Sequence, residues 1–599
     1  MNVRSLLAAL TGAVLLAVPA TAGAATPDGL VTSGVPTQGV TPIFSHTKQN
    51  EPAVAVDPAD PSRKAAGSND EIDDEACAAG DPETCPFTPG VGVSGVYFSR
   101  DGFSWTQPVY QGFTARDCNG PAACTPHPGP IGTLPNFYAN GLTSDGDPAL
   151  VYGPRRSANG RFSWSAGSRL YYASLASNFP GRQAFQGAEA ITSSYTDNDG
   201  ATWSNPVIVS RQSSATFSDK EQIWADNASS SPNFGNVYIC NVSFRGNGRG
   251  GGGEPVMLHR STDGGLSWRT TQISEATNNS QTGGRQGCAV RTDSRGTTYV
   301  YWVGTDIGTG GTVFFQRRST NGGQTFDQKR IVARLTDAGL PDPATGRLSF
   351  DGVAGARTST FPSVDIANGA PTGGDATNEI VITGTDGPTP SDTQPGPNER
   401  AIVRYSTDGG NSFRDAPVAS AGGDRPDFPA IAISPDGRQA YVTYDAFHEP
   451  WQHTTANPRP MEGVVRAARV DPVTGAIGAW SELHRGVTGD ARGSSQNGLT
   501  AEFLGDYNYA FATRSGVTAV WNDVRNAQDC PPIDVYRQKT VQDIQGGAAT
   551  ADDEDVAEAR ADTADAEAAA TSDGTTPGPV NQECPGFGNS DIYGGTYAP

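Results

Sequence analysis

The chain contains 599 residues, of which 74 are glycine and 44 are proline, so about one residue in five favours turns. This share is below the roughly 25–30% that marks disordered low-complexity chains, and 50 aromatic residues supply large apolar groups (23 Phe, 18 Tyr and 9 Trp). The formal net charge of −22 excludes the basic surface that binding to nucleic acid or anionic lipid requires. We therefore expect a folded, turn-rich protein without a nucleic-acid partner.

The N-terminus has the pattern of a cleaved secretory signal. Arg4 precedes an apolar run from Leu6 to Val18, and Ala22-Gly-Ala24 is a small-residue sequence that signal peptidase accepts. The apolar run is too short to span a bilayer. We expect a signal peptide at residues 1–24, an N-terminal extension at 25–44, and a secreted, extracellular protein with no membrane span.

The eight cysteines form an even set, which suits an oxidising compartment. They fall into sequence neighbours, and this arrangement predicts four disulfides: Cys77–Cys85, Cys118–Cys124, Cys240–Cys288 and Cys530–Cys584. No C-x-x-C pair occurs, and no histidine stands at ligand spacing from a cysteine. A cysteine-based metal site is therefore not expected.

An eight-residue turn motif recurs along the chain. Ser261-Thr-Asp-Gly-Gly-Leu-Ser-Trp268 has copies that begin at Ser319, Ser406 and Thr196, and a shortened copy begins at Ser99. Asp or Asn at the third position can bond the backbone two residues on, glycine supplies a positive φ, and the final aromatic can be buried. Each copy is therefore predicted to be a β-hairpin turn.

A second repeat consists of an apolar strand, a turn and a β-branched or aromatic strand. Seven copies begin at Glu51, Asp147, Lys220, Cys288, Phe361, Phe428 and Phe503. Repeated units of four antiparallel strands indicate an all-β fold, the β-propeller. Seven blades are favoured, and six remain open if the first or last unit only closes the ring.

The turn motif resembles the Asp-box, or BNR repeat, of the sialidase superfamily. The segments NEPAVAVDP, DKEQIWADN and LGDYNYAFATRSGVTAVWNDVRN resemble secreted bacterial sialidase-like proteins. The resemblance covers residues 45–540, which are expected to form the propeller. It implies Asp-boxes on the outer hairpins, an extracellular glycan as the partner, and hydrolysis of a terminal acidic sugar such as sialic acid.

Three arginines occupy similar positions before the inner strands of successive units: Arg285, Arg357 and Arg425. Guanidinium groups that converge from neighbouring blades would hold a carboxylate by paired hydrogen bonds. Resembling sialidases hold the sialic acid carboxylate with three arginines, which implies the same substrate-binding role here. The alternative is that these arginines only support nearby carboxylates such as Asp424 and Asp427.

The seventh unit begins with AEFLGDYNY, which places Glu502, Asp506 and Tyr507 close together. The resemblance implies a tyrosine nucleophile, for which Tyr507 is the candidate, and a proton carrier, which would be Asp506 or Glu221. Strand alternation would send Asp506 and Tyr507 to opposite faces unless a bulge intervenes. Together with Glu51, these acids predict a charged rim at one mouth of the channel.

Two other functions stay open. The Arg-Ile-Pro element of sialidases is absent, since Val40–His46 contains no arginine; this favours a non-catalytic propeller that binds a glycan or a protein. A uronate polysaccharide lyase is the third hypothesis. We expect a monomer with no catalytic metal and no cofactor, although Asp-rich turns are compatible with structural calcium.

The segment 541–580 differs from the rest of the chain in composition. Between Ala551 and Asp573 it carries nine acidic residues against Arg560 alone. Such a segment cannot bury enough apolar surface to fold, so an acidic disordered insertion is expected. Residues 581–599 are expected to return to the propeller as a C-terminal strand.

Overall fold

The computed structural model describes the greater part of the chain. The described residues are 27–33, 46–76, 88–119, 122, 125–245, 253–276, 284–341, 348–349, 358, 360–387, 399–449, 455–496, 499, 501–545, 584 and 586–599. The expected signal peptide lies outside them, as does most of the acidic segment 541–580.

Within this part of the chain, the strands form seven antiparallel sheets of four or five strands each, arranged in a ring. The molecule is a seven-bladed β-propeller, which confirms the predicted fold and the larger of the two blade numbers. Each blade has at least four strands because its two repeats each form a hairpin of two strands. Two separate two-stranded hairpins lie in the connections before the second and fifth blades.

The strands of the first half are numbered in chain order. They are β1 (Gly29–Leu30); β2 (Gln49–Val56), β3 (Lys64–Asp70), β4 (Ser94–Ser99) and β5 (Trp105–Thr106) of blade 1; β6 (Tyr110–Thr114) and β7 (His127–Ile131) of a hairpin; β8 (Leu142–Ser144), β9 (Ala149–Arg156), β10 (Phe162–Asn178), β11 (Ala190–Thr196) and β12 (Val207–Ile208) of blade 2; and β13 (Thr216–Ala225), β14 (Val237–Arg245), β15 (Val256–Ser261) and β16 (Arg269–Gln272) of blade 3.

The second half continues the numbering. Its strands are β17 (Gly284–Thr292), β18 (Thr298–Thr305), β19 (Thr312–Ser319) and β20 (Arg330–Leu335) of blade 4; β21 (Leu340–Pro341) and β22 (Leu348–Ser349) of a hairpin; β23 (Ser363–Ile366), β24 (Ile380–Asp386), β25 (Arg400–Ser406) and β26 (Arg414–Asp415) of blade 5; β27 (Arg425–Ile433), β28 (Gln439–Phe447), β29 (Pro460–Val470), β30 (Ile477–Arg485) and β31 (Gly489–Asp490) of blade 6; and β32 (Tyr509–Ala512), β33 (Val517–Asp523) and β34 (Asp591–Tyr597) of blade 7.

Blade 7 is assembled from both ends of the chain. Its strand order is β32-β33-β34 with β1 outermost, and Gly29 and Leu30 pair with Gly594 and Tyr593. The Asp28 carboxylate beside β1 accepts hydrogen bonds from Arg525. The N-terminal strand therefore completes the last blade and closes the ring.

Four of the inner strands have an irregular pairing register near the end that lies at the ring centre. Strands β2, β13, β17 and β27 each carry a register shift at this position. The residue inside the shift has a positive φ: 54° at Glu51, 57° at Lys220, 73° at Gly287 and 51° at Phe428. These bulges turn side chains toward the channel that simple alternation would direct elsewhere.

The turn motif is closed by side-chain hydrogen bonds. In the copy that begins at Ser261, the Asp263 carboxylate accepts from the backbone N–H of Leu266 at 3.1 Å and of Ser267 at 3.0 Å. The Gly265 N–H donates to the Ser261 hydroxyl at 2.8 Å. The aspartate thus reaches three and four residues on, rather than the two that were predicted, because two successive left-handed glycines lengthen the turn.

Apolar side chains fill the spaces between neighbouring blades. One large cluster joins blades 2, 3 and 4 and includes Tyr171, Tyr238 and Trp302, all fully buried. Two of the four predicted disulfides are formed: Cys240–Cys288, which links β14 to β17, and Cys530–Cys584. The other two predicted pairs include residues outside the described part of the chain.

One α-helix, α1 (Pro531–Gln545), follows β33, and short 3-10 turns occupy Glu71–Asp73, Tyr138–Asn140 and Ala491–Gly493. The helix holds the fully buried Arg537, which donates to the carbonyls of Leu499, Arg492 and Ser494. It thereby fixes the loop that leads to the start of blade 7. Among the described residues, no helix has the length and apolarity to cross a membrane.

Candidate functional site

A pocket lies where the inner strands of blades 3 to 7 approach one another at one end of the central channel. The space free of protein atoms between its walls is about 690 Å³, including the part that is open to solvent. Each of the five blades contributes wall residues: Lys220–Gln222; Gly287, Cys288, Ala289 and Arg291; Phe361–Val364; Phe428, Pro429 and Ile431; and Asp506–Ala510. Three of the four bulged positions, Lys220, Gly287 and Phe428, therefore lie in the wall of this central pocket.

A buried ion pair crosses the channel beside the pocket. The Lys220 ammonium of blade 3 lies 2.8 Å from the Asp506 carboxylate of blade 7. It also lies 3.4 Å from Asp219 and 3.7 Å from Asp147. One lysine thus faces three carboxylates from three blades.

Glu221 lies next to this ion pair and lines the pocket. It is 3% exposed, and within the described part of the chain neither carboxyl oxygen has a hydrogen-bond partner. Burial, followed by the nearby charges of Asp147 and Asp219, raises the pKa of Glu221 well above its usual value. A buried polar group with no protein partner is a group that a ligand can satisfy.

Tyr507 contributes a phenol to the same pocket. Its oxygen is shielded from solvent and has no hydrogen-bond partner among the described residues. Burial and the charges of Asp147, Glu51 and Glu221 raise the pKa of Tyr507 well above its usual value. The phenol therefore keeps its proton at neutral pH.

Gly505 brings blade 7 into position against blade 1. Its φ is 78°, and a Cβ at this position would lie 2.1 Å from Cγ of Glu51. Only glycine allows this close approach. Asn508, three residues on, accepts a hydrogen bond from Asn522 at 3.0 Å, which holds the segment that carries Asp506 and Tyr507.

Two carboxyl groups and one phenol predicted from the sequence lie together in the structure, because Glu221, Asp506 and Tyr507 all line the pocket. Glu502 lies elsewhere: it is buried 3.1 Å from Arg459, near the Arg537 side chain of α1. Glu502 therefore supports the loop before blade 7 and does not line the pocket.

Of the three predicted arginines, Arg425 is the one whose side chain the structure describes. Arg425 is bound by Glu399 through two hydrogen bonds of 2.8 Å, and its guanidinium also donates to the Glu449 carbonyl. The backbone of Arg285 lies in β17, but its side chain is outside what the structure describes, and Arg357 lies wholly outside. Arg425 is thus in the supporting arrangement that was the alternative to carboxylate binding.

Arg291 lies at the inner end of the pocket and was not singled out from the sequence. Its guanidinium stacks on Trp224, 4.6 Å from the ring centre, and lies 3.7 Å from Asp365. Trp224 and Asp365 line a second pocket, whose space free of protein atoms is about 620 Å³ including the part open to solvent. Arg291 therefore lines the first pocket and contacts two residues that line the second. Its position in the fourth repeat could have been found by aligning β17 with the other inner strands.

Asp147 is the other residue that the sequence argument passed over. Its φ of 48° and its place before a proline match those of Glu51 in the preceding unit. The repeat alignment contained this signal, because Asp147 begins the second unit. What the alignment lacked was the direction of the side chain, which depends on the left-handed backbone.

Comparison with known proteins gives similarities at the level of solved structures. The chain is similar to the Hadza microbial sialidase Hz136 (11% identity, TM-score 0.38), over 67% of this chain and 64% of that one. It is also similar to the intramolecular trans-sialidase from Ruminococcus gnavus (12% identity, TM-score 0.36), over 66% and 90% of the two chains. A third similarity is to the GH93 α-L-arabinofuranosidase of Fusarium graminearum (12% identity, TM-score 0.35), over 65% and 90%.

This chain thus spans less than two thirds of the length of the Hadza sialidase. No protein-family profile matches the chain, and no curated protein sequence matches it. No likeness of substrate or mechanism follows from similarities of this size.

Proposed function

We propose that the chain is a glycan-active hydrolase that binds the terminal sugar of an extracellular glycan in the central pocket. The observation that carries the proposal is the convergence of Glu221, Asp506 and Tyr507 on one pocket from opposite sides of the channel. Carboxyl groups and, in some glycosidases, a tyrosine nucleophile are the groups that cleave glycosidic bonds.

In this proposal Tyr507 attacks the anomeric carbon, the glycosidic bond breaks, and Asp506 or Glu221 carries the phenol proton to the oxygen of the departing aglycone. Because the phenol keeps its proton at neutral pH, attack requires a carboxylate that accepts the proton as the new bond forms. Lys220, 2.8 Å away, stabilises the charged form of Asp506, which suits Asp506 to accept. Water then attacks the anomeric carbon, the bond to Tyr507 breaks, and a proton of the water returns through the same carboxylate to the phenol oxygen.

A terminal acidic sugar of the sialic acid type is the finer form of the proposal. It requires Arg285 and Arg357 to bind the sugar carboxylate, since Arg425 is engaged by Glu399. Lys220 and Arg291 bring further positive charge to the pocket wall. Secretion is part of the proposal, and the two disulfides support an oxidising compartment.

The test is a panel of fluorogenic α-sialosides, uronides and neutral α-L-arabinofuranosides, assayed with the wild-type protein and with Tyr507→Phe, Asp506→Asn and Glu221→Gln. We expect turnover of at least one glycoside and its loss in Tyr507→Phe. Asp415→Asn is the matched control, because Asp415 is 81% exposed on β26 and lies away from the pocket. Turnover that Tyr507→Phe leaves intact would reject the assigned nucleophile.

A non-catalytic glycan-binding propeller is the second candidate, favoured by the engagement of Arg425 within the protein. It predicts saturable binding on a glycan array with no cleavage of any glycoside in the panel. A lyase would instead release an unsaturated uronate, seen as new ultraviolet absorbance. These three outcomes exclude one another.

A further inference from the structure

Three carboxyl groups from blades 2 and 3 converge beside the central pocket, and one of them, Glu221, lines it. Asp147, Asp219 and Glu221 each offer an oxygen atom, and these atoms lie within 4.8 Å of one another. The three residues are 5%, 0% and 3% exposed. Ionised carboxyl groups this close together and this deeply buried repel one another, so they favour a bound cation or a proton.

Lys220 brings one positive charge to this cluster. Its ammonium lies closest to Asp506, at 2.8 Å, and farther from Asp219 and Asp147. Among the described residues, no ion pair joins Lys220 or another cation to Glu221.

Glu221 is the independent sign that a ligand belongs here. It is more than nine-tenths buried, its oxygens belong to the cluster, and they have no hydrogen-bond partner among the described residues. It also lines the pocket, so a cation bound to it could be reached by a substrate. Asp147 and Asp219 do not line the pocket.

We propose that Asp147, Asp219 and Glu221 bind a calcium ion beside the central pocket, with Glu221 as the ligand that lines it. The donor set consists of oxygen alone, which favours a hard cation over zinc or copper. Calcium accepts an irregular set of six to eight oxygens, whereas magnesium demands near-octahedral geometry and keeps most of its water. Water and sugar hydroxyls from the pocket would complete the coordination.

The inference goes beyond the proposed hydrolase and shares its pocket. A calcium ion would occupy Glu221 as a ligand, which leaves Asp506 as the proton carrier beside Tyr507. It would also place a Lewis acid within reach of substrate hydroxyl groups. Calcium binding is measured without any glycoside, so failure of one proposal is distinguishable from failure of the other.

The first experiment titrates calcium into chelator-treated full-length protein by isothermal calorimetry, with thermal unfolding as a second readout. We expect one calcium per chain and a rise in the unfolding temperature, because a ligand that binds only the folded state stabilises it. Glu221→Gln, which is nearly isosteric, should weaken binding at least tenfold. Asp415→Asn, on the outer strand β26, should bind as the wild type does.

A second experiment uses terbium, which replaces calcium and emits when a nearby tyrosine is excited. Tyr507 lies close enough to Glu221 and Asp147 for their charges to act on it. Terbium emission should therefore appear on binding and fall by at least half in Tyr507→Phe, while calorimetric calcium affinity changes less than threefold. Added calcium should quench the emission.

The variant Lys220→Met distinguishes a calcium site from a carboxylate cluster in which the Lys220 ammonium is already the bound cation. Because the ammonium competes for the same carboxylates, its removal should tighten calcium binding at least tenfold. Binding in Lys220→Met with none in the wild type would overturn the proposal and show that the lysine is the resident cation. Wild-type binding that Glu221→Gln leaves unchanged, or tighter binding of magnesium than of calcium, would also overturn it.

Discussion

The Lys220 ammonium and the Asp506 carboxylate, 2.8 Å apart, join blade 3 to blade 7 across the central channel. Both side chains are almost completely buried, at 2% and 5% exposure. The pair links segments that are far apart in sequence and in ring order. It holds the first residue of the Asp506-Tyr507 segment against the wall that carries Glu221.

We expect Lys220→Met to lower the free energy of unfolding by about 3–5 kcal/mol, because it leaves buried carboxylates without their counter-ion. Urea unfolding followed by tryptophan fluorescence measures the loss. The double variant Lys220→Met/Asp506→Asn should recover part of it, since it removes one of the orphaned charges. A double variant no more stable than the single one would mean that Asp506 is not the main partner.

The turn motif leads to a prediction about stability, and another copy of the motif in the same chain provides the comparison. Asp263→Ala removes the acceptor for the Leu266 and Ser267 N–H groups and should destabilise the protein by about 1–2 kcal/mol. Asp263→Asn should change stability far less, because Asn321 makes the equivalent bonds to Gln324 and Thr325 in another copy. Equal losses in the two variants, compared by chemical denaturation, would contradict this account.

Stability should fall as the pH rises from about 4 to about 8. Burial, and then the charge of Asp293, raises the pKa of Asp226 to about 8, and burial raises the pKa of Asp591 to about 7. In that pH window the folded state holds protons that the unfolded chain has released, so each group lowers stability by roughly 1 kcal/mol per pH unit.

The effect is measured by urea unfolding at pH 5 and pH 8. Asp226→Asn should flatten the decline, since the amide does not ionise. Asp101→Asn is the control: hydrogen bonds, the first from the Ser104 N–H, lower the pKa of Asp101 to about 2, below the window. An Asp226→Asn protein with the same decline as the wild type would contradict the assignment.

The Cys530–Cys584 disulfide closes a loop of 54 residues before the last strand. Replacing both cysteines by serine should cost about 4 kcal/mol of stability. It should also speed hydrogen exchange in β34, because the bridge ties the chain just before Asp591–Tyr597. The Cys240→Ser/Cys288→Ser protein is the comparison: its faster exchange should fall on β14 and β17. Faster exchange of β34 in both proteins would argue against local tethering.

The propeller could be predicted because its signals are local and repeated. Each turn motif predicts a hairpin through residues such as Asp263 and Gly265. Seven successive units of this kind are compatible with few arrangements other than a ring. The blade count followed from the inner-strand repeats. The completion of blade 7 by β1 was not predicted, because Gly29–Leu30 is too short to show any periodicity.

The candidate site was predictable in its residue types and less so in its geometry. Tyr507 and Glu221 stand at the starts of inner strands, which the repeats located. Whether both face the channel depends on left-handed residues such as Lys220, and the sequence gives no signal for a positive φ at a lysine. The role of Arg425 depends on Glu399, which lies 26 residues earlier and in another blade.

The use of both chain ends in blade 7 also bears on the order of folding. Blades 1 to 6 are each built from one continuous stretch of chain, so their hairpins can form as soon as that stretch exists. Blade 7 must wait for β34 to meet β33 and for β1 to find Gly594 and Tyr593. Contacts between segments this distant in sequence form slowly. Because Asp506 stands at the start of blade 7, we expect the pocket that it lines to be among the last parts of the molecule to form.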